Sequence, residues 1–164
     1  MNALANDEVG KYVSEHFVSS FQKVATFRIV GGQKQGGNVA SYFCTPDSRV
    51  LHVVAGPVNA ATMLRESRWV VEAYKLAELN GAGDPADLAE FVRRGHADRL
   101  RREHALDVAA PDVGLGRRAL SNQGRVHLLL AAAPLVKVEQ VYDLVFEKIL
   151  GEQVSTSPVV EARQ

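Results

Sequence analysis

The sequence predicts a mixed α+β or α/β protein, in which a small, mainly antiparallel sheet is flanked by helices and followed by a C-terminal helical extension. Three observations support this fold class. Segments rich in β-branched and aromatic residues, typical of strands, lie within residues 21–54. From residue 59 onward, apolar residues recur at the three-to-four spacing of helices. The composition, 46% hydrophobic and 23% charged residues, is ordinary for a globular protein.

The first part of the chain is predicted to form one helix and three strands. The helix begins after Asn6, because asparagine side chains cap helices and apolar residues then recur at helical spacing. Four glycines in seven residues predict a loop at 31–37. The three predicted strands are Phe21–Val30, Val39–Cys44 and Val50–Val54.

The segment TPDS at 45–48 predicts a tight turn between the second and third strands. Pro46 suits position i+1 of a type I turn, because its ring fixes φ near the required value. If residues 45 and 48 close the turn, Cys44 lies opposite Arg49 in the resulting hairpin, and the register of the two strands follows from that pair.

Four helices are predicted after the hairpin, each from an apolar stripe. Asn59 caps the first, and Gly81 stands where a left-handed residue ends a helix. Asp84 and Pro85 are the cap and first residue of the second. The four predicted helices span residues 60–80, 85–106, 120–133 and 138–149.

This order of elements predicts a domain at 1–81, a helical extension at 82–151 that packs on it or on a partner, and a flexible tail at 152–164. The first twenty residues carry no apolar run of the signal-peptide type, and no apolar run reaches the roughly 20 residues of a membrane span. We therefore expect a cytoplasmic protein that does not bind membranes. Lysine plus arginine and aspartate plus glutamate each total 19, and this zero net charge argues against nucleic acid as a partner.

One stretch follows the order of a known family. A helix ends in Phe17-Val18, a strand begins a few residues later, and a strand, a turn, an antiparallel strand, Gly56 and a long helix come next. In this order residues 7–79 resemble part of a thioredoxin-like domain. The family's CxxC motif and its cis-proline, which would fall near Asn38, are absent. Since disulfide exchange needs two thiols, the resemblance implies a non-catalytic protein-interaction module. A natural start upstream of Met1, supplying the missing strand and CxxC, is the alternative.

Cys44 and His52 are the candidates for a second function, a small enzyme or a thiol-based redox sensor with a pocket between the sheet and the C-terminal helices. Arg49 opposite Cys44 would favour the thiolate. In the same register His52 lies opposite Ser41, as the start of a base and nucleophile pair. No acid is placed by the sequence to orient His52. We therefore favour structural roles for all three residues and no enzymatic activity.

No cofactor or metal site is predicted. His96 and His104 lie about 12 Å apart along one helix axis, too far to chelate one ion directly, and no HxxxH or HExxH spacing occurs. The run Gly114-Leu115-Gly116 begins a dinucleotide motif, but Ala119 stands at its third glycine and no strand precedes it. The glycine-rich segment at 31–37 lacks the GK[ST] ending of a phosphate-binding loop. A lone cysteine also excludes cysteine-rich zinc sites.

Residues 93–125 contain eight arginines against four acidic residues. Because no aromatic residue lies among them, stacking on bases is unsupported, and a salt-bridged helix face is favoured. Trp69 lies beside the apolar stripe of its helix, where it covers the edge of the stripe or anchors a partner. A three-stranded sheet buries only part of the later apolar stripes, so we expect a homodimer or another protein partner. The candidate interaction residues are Trp69, Arg93, Arg94, Arg101 and Arg102.

Overall fold

The computed structural model describes residues 3–21, 28–35, 38–81, 83–107 and 120–154, with the backbone alone for 28–30 and 33–35. The helices are α1 (Asp7–His16), α2 (Ala60–Leu79), α3 (Pro85–His104), α4 (Asn122–Ala132) and α5 (Val138–Asp143), and α5 continues as one π-helical segment, Leu144–Ile149. The strands are β1 (Arg28–Val30), β2 (Gln33–Gln35), β3 (Ala40–Cys44) and β4 (Val50–Ala55). The protein is a helix-rich α+β structure.

The strands form two antiparallel hairpins, β1–β2 and β3–β4, in place of the predicted three-stranded sheet among the described residues. The prediction of a loop at 31–37 is partly wrong, because residues 33–35 form β2. Gly31 and Gly32 adopt φ of +58° and +76°, the left-handed pair that makes a two-residue hairpin turn. This turn folds β1 back onto β2 instead of leading it to β3. Residues 22–27 of the first predicted strand lie outside the described residues.

The β3–β4 hairpin and its turn are confirmed. The Ser48 backbone N–H donates to the Thr45 carbonyl at 2.9 Å, with Pro46 in the second position of the turn as predicted. Its register differs from the prediction, because Cys44 pairs with Val50. A register shift between Phe43 and Cys44 marks a bulge, which leaves one extra residue in β4.

The bulge changes the partners of the candidate catalytic residues. Leu51 is the extra residue, since its neighbours on either side pair with Cys44 and Phe43. His52 therefore lies opposite Phe43, and Ser41 lies opposite Val54. The predicted pair Cys44–Arg49 is wrong because of the turn, where the Thr45 backbone N–H donates to the Arg49 carbonyl at 2.9 Å and so places Cys44 opposite Val50. The predicted pair Ser41–His52 is wrong because the bulge adds a further shift to that register.

The helix ends agree with the predicted caps. Asn59 accepts a hydrogen bond from the Thr62 backbone N–H at 2.8 Å at the start of α2, and Gly81 after its end has φ +77°. Asp84 accepts from the Ala86 backbone N–H at 2.7 Å, with Pro85 as the first residue of α3. Side-chain caps and left-handed glycines satisfy backbone groups that helices leave unpaired at their ends.

Strand β4 lies in the centre of the molecule, and all six of its residues are buried. On one side, α1 and α2 pack with β4 around Leu51, Val54 and Met63. On the other side, α4 and the C-terminal helix pack around Val50 and Val53. Helix α3 packs mainly on α4, and α4 in turn packs on β4. No helix in the described ranges combines the length and the apolarity that a membrane crossing requires.

Candidate metal centre

Three buried histidines meet where β4, α3 and α4 come together. His52, His96 and His127 are each 0% exposed, and one ring nitrogen of each lies within 4.8 Å of the other two. Their ring centroids are 5.0 to 5.4 Å apart. We refer to these three residues as the histidine cluster. Neutral imidazole nitrogens at this spacing are a ligand set for a transition metal ion.

His96 is oriented by the bulge in β4. Its Nε2 lies 3.0 Å from the carbonyl oxygen of Leu51, the extra residue of the bulge, whose carbonyl faces α3. A carbonyl only accepts, so His96 Nε2 carries the hydrogen. Burial, followed by the neighbouring His52, lowers the pKa of His96 to about 3, and the ring is therefore neutral. His96 Nδ1 is then an unprotonated nitrogen that faces the cluster.

His52 is oriented by a buried carboxylate. Its Nε2 lies 3.1 Å from Glu66 Oε2, and Arg99 donates to both oxygens of the same carboxylate. Burial alone would raise the pKa of Glu66, but the hydrogen bonds from His52 and Arg99 outweigh it and lower that pKa below its ordinary value. Glu66 is thus ionised and only accepts, which assigns the hydrogen of His52 to Nε2.

The other nitrogen of His52 is available to a ligand. Burial lowers the pKa of His52, so the ring is neutral and Nδ1 is unprotonated. This atom is buried and has no hydrogen-bond partner among the described residues. The Gln123 amide nitrogen lies 3.2 Å from His52 Nε2 and donates to the Val53 carbonyl at 3.0 Å. Since both nitrogens are donors, Gln123 leaves the bond between His52 and Glu66 in place.

His127 completes the cluster from α4. Its Nδ1 lies 2.8 Å from His96 Nδ1. Because His96 Nδ1 is unprotonated, His127 Nδ1 is the donor of this bond. Burial, followed by the neighbouring His52 and His96, lowers the pKa of His127, so this ring is also neutral. Its Nε2 is unprotonated, buried and without a partner in the described part of the chain.

An aromatic ring and an ion pair enclose the cluster. The Trp69 ring lies 5.1 Å from the rings of both His52 and His96, measured between centroids. The Arg99 guanidinium lies 4.9 Å from the Trp69 ring centroid, and its Nε donates to Glu103 at 2.7 Å. The cluster is therefore enclosed by the cation–π contact between Arg99 and Trp69 and by the Glu66 carboxylate, whose negative charge is paired with Arg99.

The structure separates the other predicted site residues from the cluster. Cys44 packs in the apolar group on the far side of β4, with Val50 and Val53. Burial, followed by the negative charge of Glu139, raises the pKa of the Cys44 thiol to about 11. The cation that was expected to favour the thiolate is not its strand partner. Ser41 also lies away from His52 in the register.

The arginines predicted as an interaction surface form ion pairs along α3. Arg93 and Arg94 both pair with Glu90, and Arg101 pairs with Asp98. Arg102 is exposed in the last turn of the helix. The salt-bridged helix face is therefore present, whereas the homodimer and the protein partner stay predictions. Residues 108–119, with the glycine motif near 114–116, lie outside the described residues.

No spacing motif in the sequence marks the histidine cluster, because its members come from three elements. His52 and His96 are separated by 43 residues, and His96 and His127 by 30. The acid that orients His52 lies on α2, where the apolar pattern of the helix gave no reason to single it out. One signal was present: His96 stands four residues from both Val92 and Leu100, on the buried face of α3. A polar residue on such a face needs a buried partner.

Comparisons of the chain with protein-family models, with curated proteins and with solved structures found no match. The resemblance to thioredoxin-like domains therefore stays a prediction, and the histidine cluster is interpreted from its own chemistry.

Proposed function

We propose that this protein binds a divalent transition metal ion through His52, His96 and His127. One observation carries the proposal: three neutral, fully buried imidazoles converge. In two of them, His52 and His96, the Nε2–H that points away from the cluster is held by an acceptor. A metal-ligating histidine characteristically donates its other N–H to a carboxylate or a backbone carbonyl, which fixes the ring and its tautomer. Glu66 and the Leu51 carbonyl supply these two acceptors.

The donor atoms favour one class of metal. The cluster offers nitrogen ligands, and the nearest carboxylate, Glu66, is neutralised by Arg99. Mg²⁺ and Ca²⁺ require oxygen ligands, whereas Zn²⁺, Cu²⁺, Ni²⁺ and Co²⁺ accept imidazole. We take Zn²⁺ as the ion to test first, because it commonly forms tetrahedral sites with three histidines and a fourth, non-protein ligand.

The location of the cluster suggests what the ion does for the fold. His52, His96 and His127 lie on β4, α3 and α4, so one ion would join three elements that are distant in sequence. An ion that binds only the native state stabilises it by about 2.7 kcal/mol at a free concentration 100 times Kd. The fourth position would be left to water or to a small molecule.

The test measures zinc binding and thermal unfolding of the metal-free protein. We expect one equivalent of Zn²⁺ to bind and to raise Tm, and Co²⁺ to give the intense visible absorption of a tetrahedral site. Replacing His127→Gln or His96→Gln should abolish both effects. The matched control is His16→Gln, because His16 is exposed at the end of α1. Zinc uptake that is absent, or that survives equally in the cluster variants and in the control, would contradict the proposal.

A further inference from the structure

A fourth histidine lies beside the cluster. The Nε2 atoms of His104 and His127 are both buried, and neither has a hydrogen-bond partner among the described residues. The centroids of the two rings are 6.5 Å apart. We infer that His104 is a positioning residue, which accepts a hydrogen bond from His127 Nε2 when the cluster holds a metal ion. This inference rests on the proposed metal site.

The packing of α4 makes room for His104 at this place. A Cβ atom on Gly124 would lie 3.0 Å from His104 Cε1 and 3.1 Å from His104 Nε2, so the imidazole rests directly on the helix backbone. Gly124 is three residues before His127, one turn away on the same face of α4. Side chains on a helix lean toward its N-terminus. The His127 ring therefore leans toward the turn that His104 covers.

Metal binding requires a change at His127. In the structure, His127 Nδ1–H donates to His96 Nδ1. His96 has only that nitrogen to offer an ion, because its Nε2–H is held by Leu51. If His127 bound through Nε2 instead, its Nδ1–H would keep His96 Nδ1 occupied and only two histidines would coordinate. All three coordinate when His127 also uses Nδ1.

The proton then moves within the His127 ring. Nδ1 releases its proton to solvent and Nε2 takes one up, so the neutral ring holds one proton before and after. The new Nε2–H is buried, and a buried donor without a partner is destabilising. Among the described residues, His104 Nε2 is the buried, unpartnered ring nitrogen beside His127, and it would accept this bond. With the ring centroids 6.5 Å apart, one bridging water would connect the two atoms where they do not bond directly.

The three ligands of the loaded site would then share one arrangement of their ring nitrogens. Each of the three ligands binds the ion through Nδ1, and each donates its Nε2–H to an acceptor. The acceptors are Glu66 for His52, the Leu51 carbonyl for His96, and His104 for His127. The structure shows the first two contacts, and the third would form on loading.

The experiment compares zinc affinity in His104→Leu, which removes the acceptor, with His104→Gln, whose side-chain oxygen can accept. Loss of such an outer partner typically weakens metal binding 10- to 100-fold. We expect that loss in His104→Leu, at least partial recovery in His104→Gln, and no change in the control His16→Leu. Nitrogen-15 NMR of the imidazoles should place the His127 proton on Nδ1 without zinc and on Nε2 with it.

Four results would overturn the inference. Zinc binding of His104→Leu at wild-type affinity, or a zinc-loaded His127 that keeps its proton on Nδ1, would remove His104 from the site and leave the proposed metal function intact. A wild-type protein that takes up no zinc would overturn both proposals. A merely structural role is tested by urea unfolding of the metal-free proteins. There His104→Gln and His104→Leu should be equally stable, so a difference that matches their difference in zinc affinity would also contradict the inference.

Discussion

His96 Nδ1 and His127 Nδ1 lie 2.8 Å apart, fully buried, although the two residues are 31 positions apart in the sequence. Two neutral rings at this distance share one hydrogen, so each depends on the other for its hydrogen bonding. The bond joins α3 to α4, two helices that pack against each other. The histidine cluster therefore affects stability and pH dependence even before any ion is considered.

Acid should destabilise the metal-free protein well above the range in which carboxylates titrate. Burial lowers the pKa of all three cluster histidines from 6.5, to about 3 for His96. Between these values the unfolded chain binds protons that the native chain does not, so stability falls as the pH falls below about 6.5. The expected slope is about 1.4 kcal/mol per pH unit for each histidine.

The measurement is the urea midpoint of unfolding between pH 8 and pH 5. His16→Gln should leave the pH dependence of the free energy of unfolding unchanged, because that residue is exposed. His127→Gln should reduce this dependence by about the contribution of one histidine. A midpoint that stays constant from pH 7 to pH 5 would show that the cluster is not held neutral by burial.

Replacing Glu66→Gln should strongly destabilise the protein. Glu66 is 0% exposed and receives hydrogen bonds from His52, Arg99 and Arg65, so the substitution leaves the buried Arg99 guanidinium with Glu103 as its remaining carboxylate partner. Breaking one side of a buried ion pair typically costs about 3–5 kcal/mol. Glu72→Gln, on the exposed face of the same helix, should change the free energy of unfolding by less than about 0.5 kcal/mol. Equal unfolding midpoints for the two variants would refute this role of Glu66.

Two glycines in helices should respond differently to alanine. At Gly95 an added Cβ would meet the Trp69 ring at 3.4 Å, an ordinary contact, so Gly95→Ala should stabilise by about 0.5–1 kcal/mol through helix propensity. At Gly124 the same atom would lie 3.0–3.2 Å from the His104 ring. We expect Gly124→Ala to lose this gain, and to recover it when combined with His104→Ala. Thermal unfolding of the wild type, Gly124→Ala, His104→Ala and the double variant measures how far the two substitutions depend on each other. Additive effects on Tm would contradict the contact between Gly124 and His104.

Cys44 should react slowly with alkylating reagents in the native protein. Burial raises the pKa of its thiol from 9.0 to about 11, which lowers the thiolate fraction near pH 8 about 100-fold. Iodoacetamide labelling, followed by mass spectrometry, should therefore be much faster after unfolding in guanidinium. The response of the protein to peroxide should be the same in Cys44→Ala as in the wild type. Rapid labelling of the native protein would instead restore the thiol-sensor hypothesis.

The local features of the fold could be predicted because a few adjacent residues determine them. The caps at Asn59 and Asp84, the left-handed Gly81 and the turn around Pro46 each depend on the preferences of a single residue. The hairpin register could not be predicted in the same way. The bulge at Leu51 shifts the register within the hairpin, and the turn sequence does not encode that shift.

The sequence by itself determined the mixed fold class, the order of most elements and the salt-bridged face of α3. Only the tertiary structure decided that His52, His96 and His127 meet, and that Glu66 and the Leu51 carbonyl orient two of them. The physical reason is that capping and helical or strand periodicity act between near neighbours. The cluster depends instead on the packing of β4, α2, α3 and α4, where a polar group loses water and must find a partner from a distant segment.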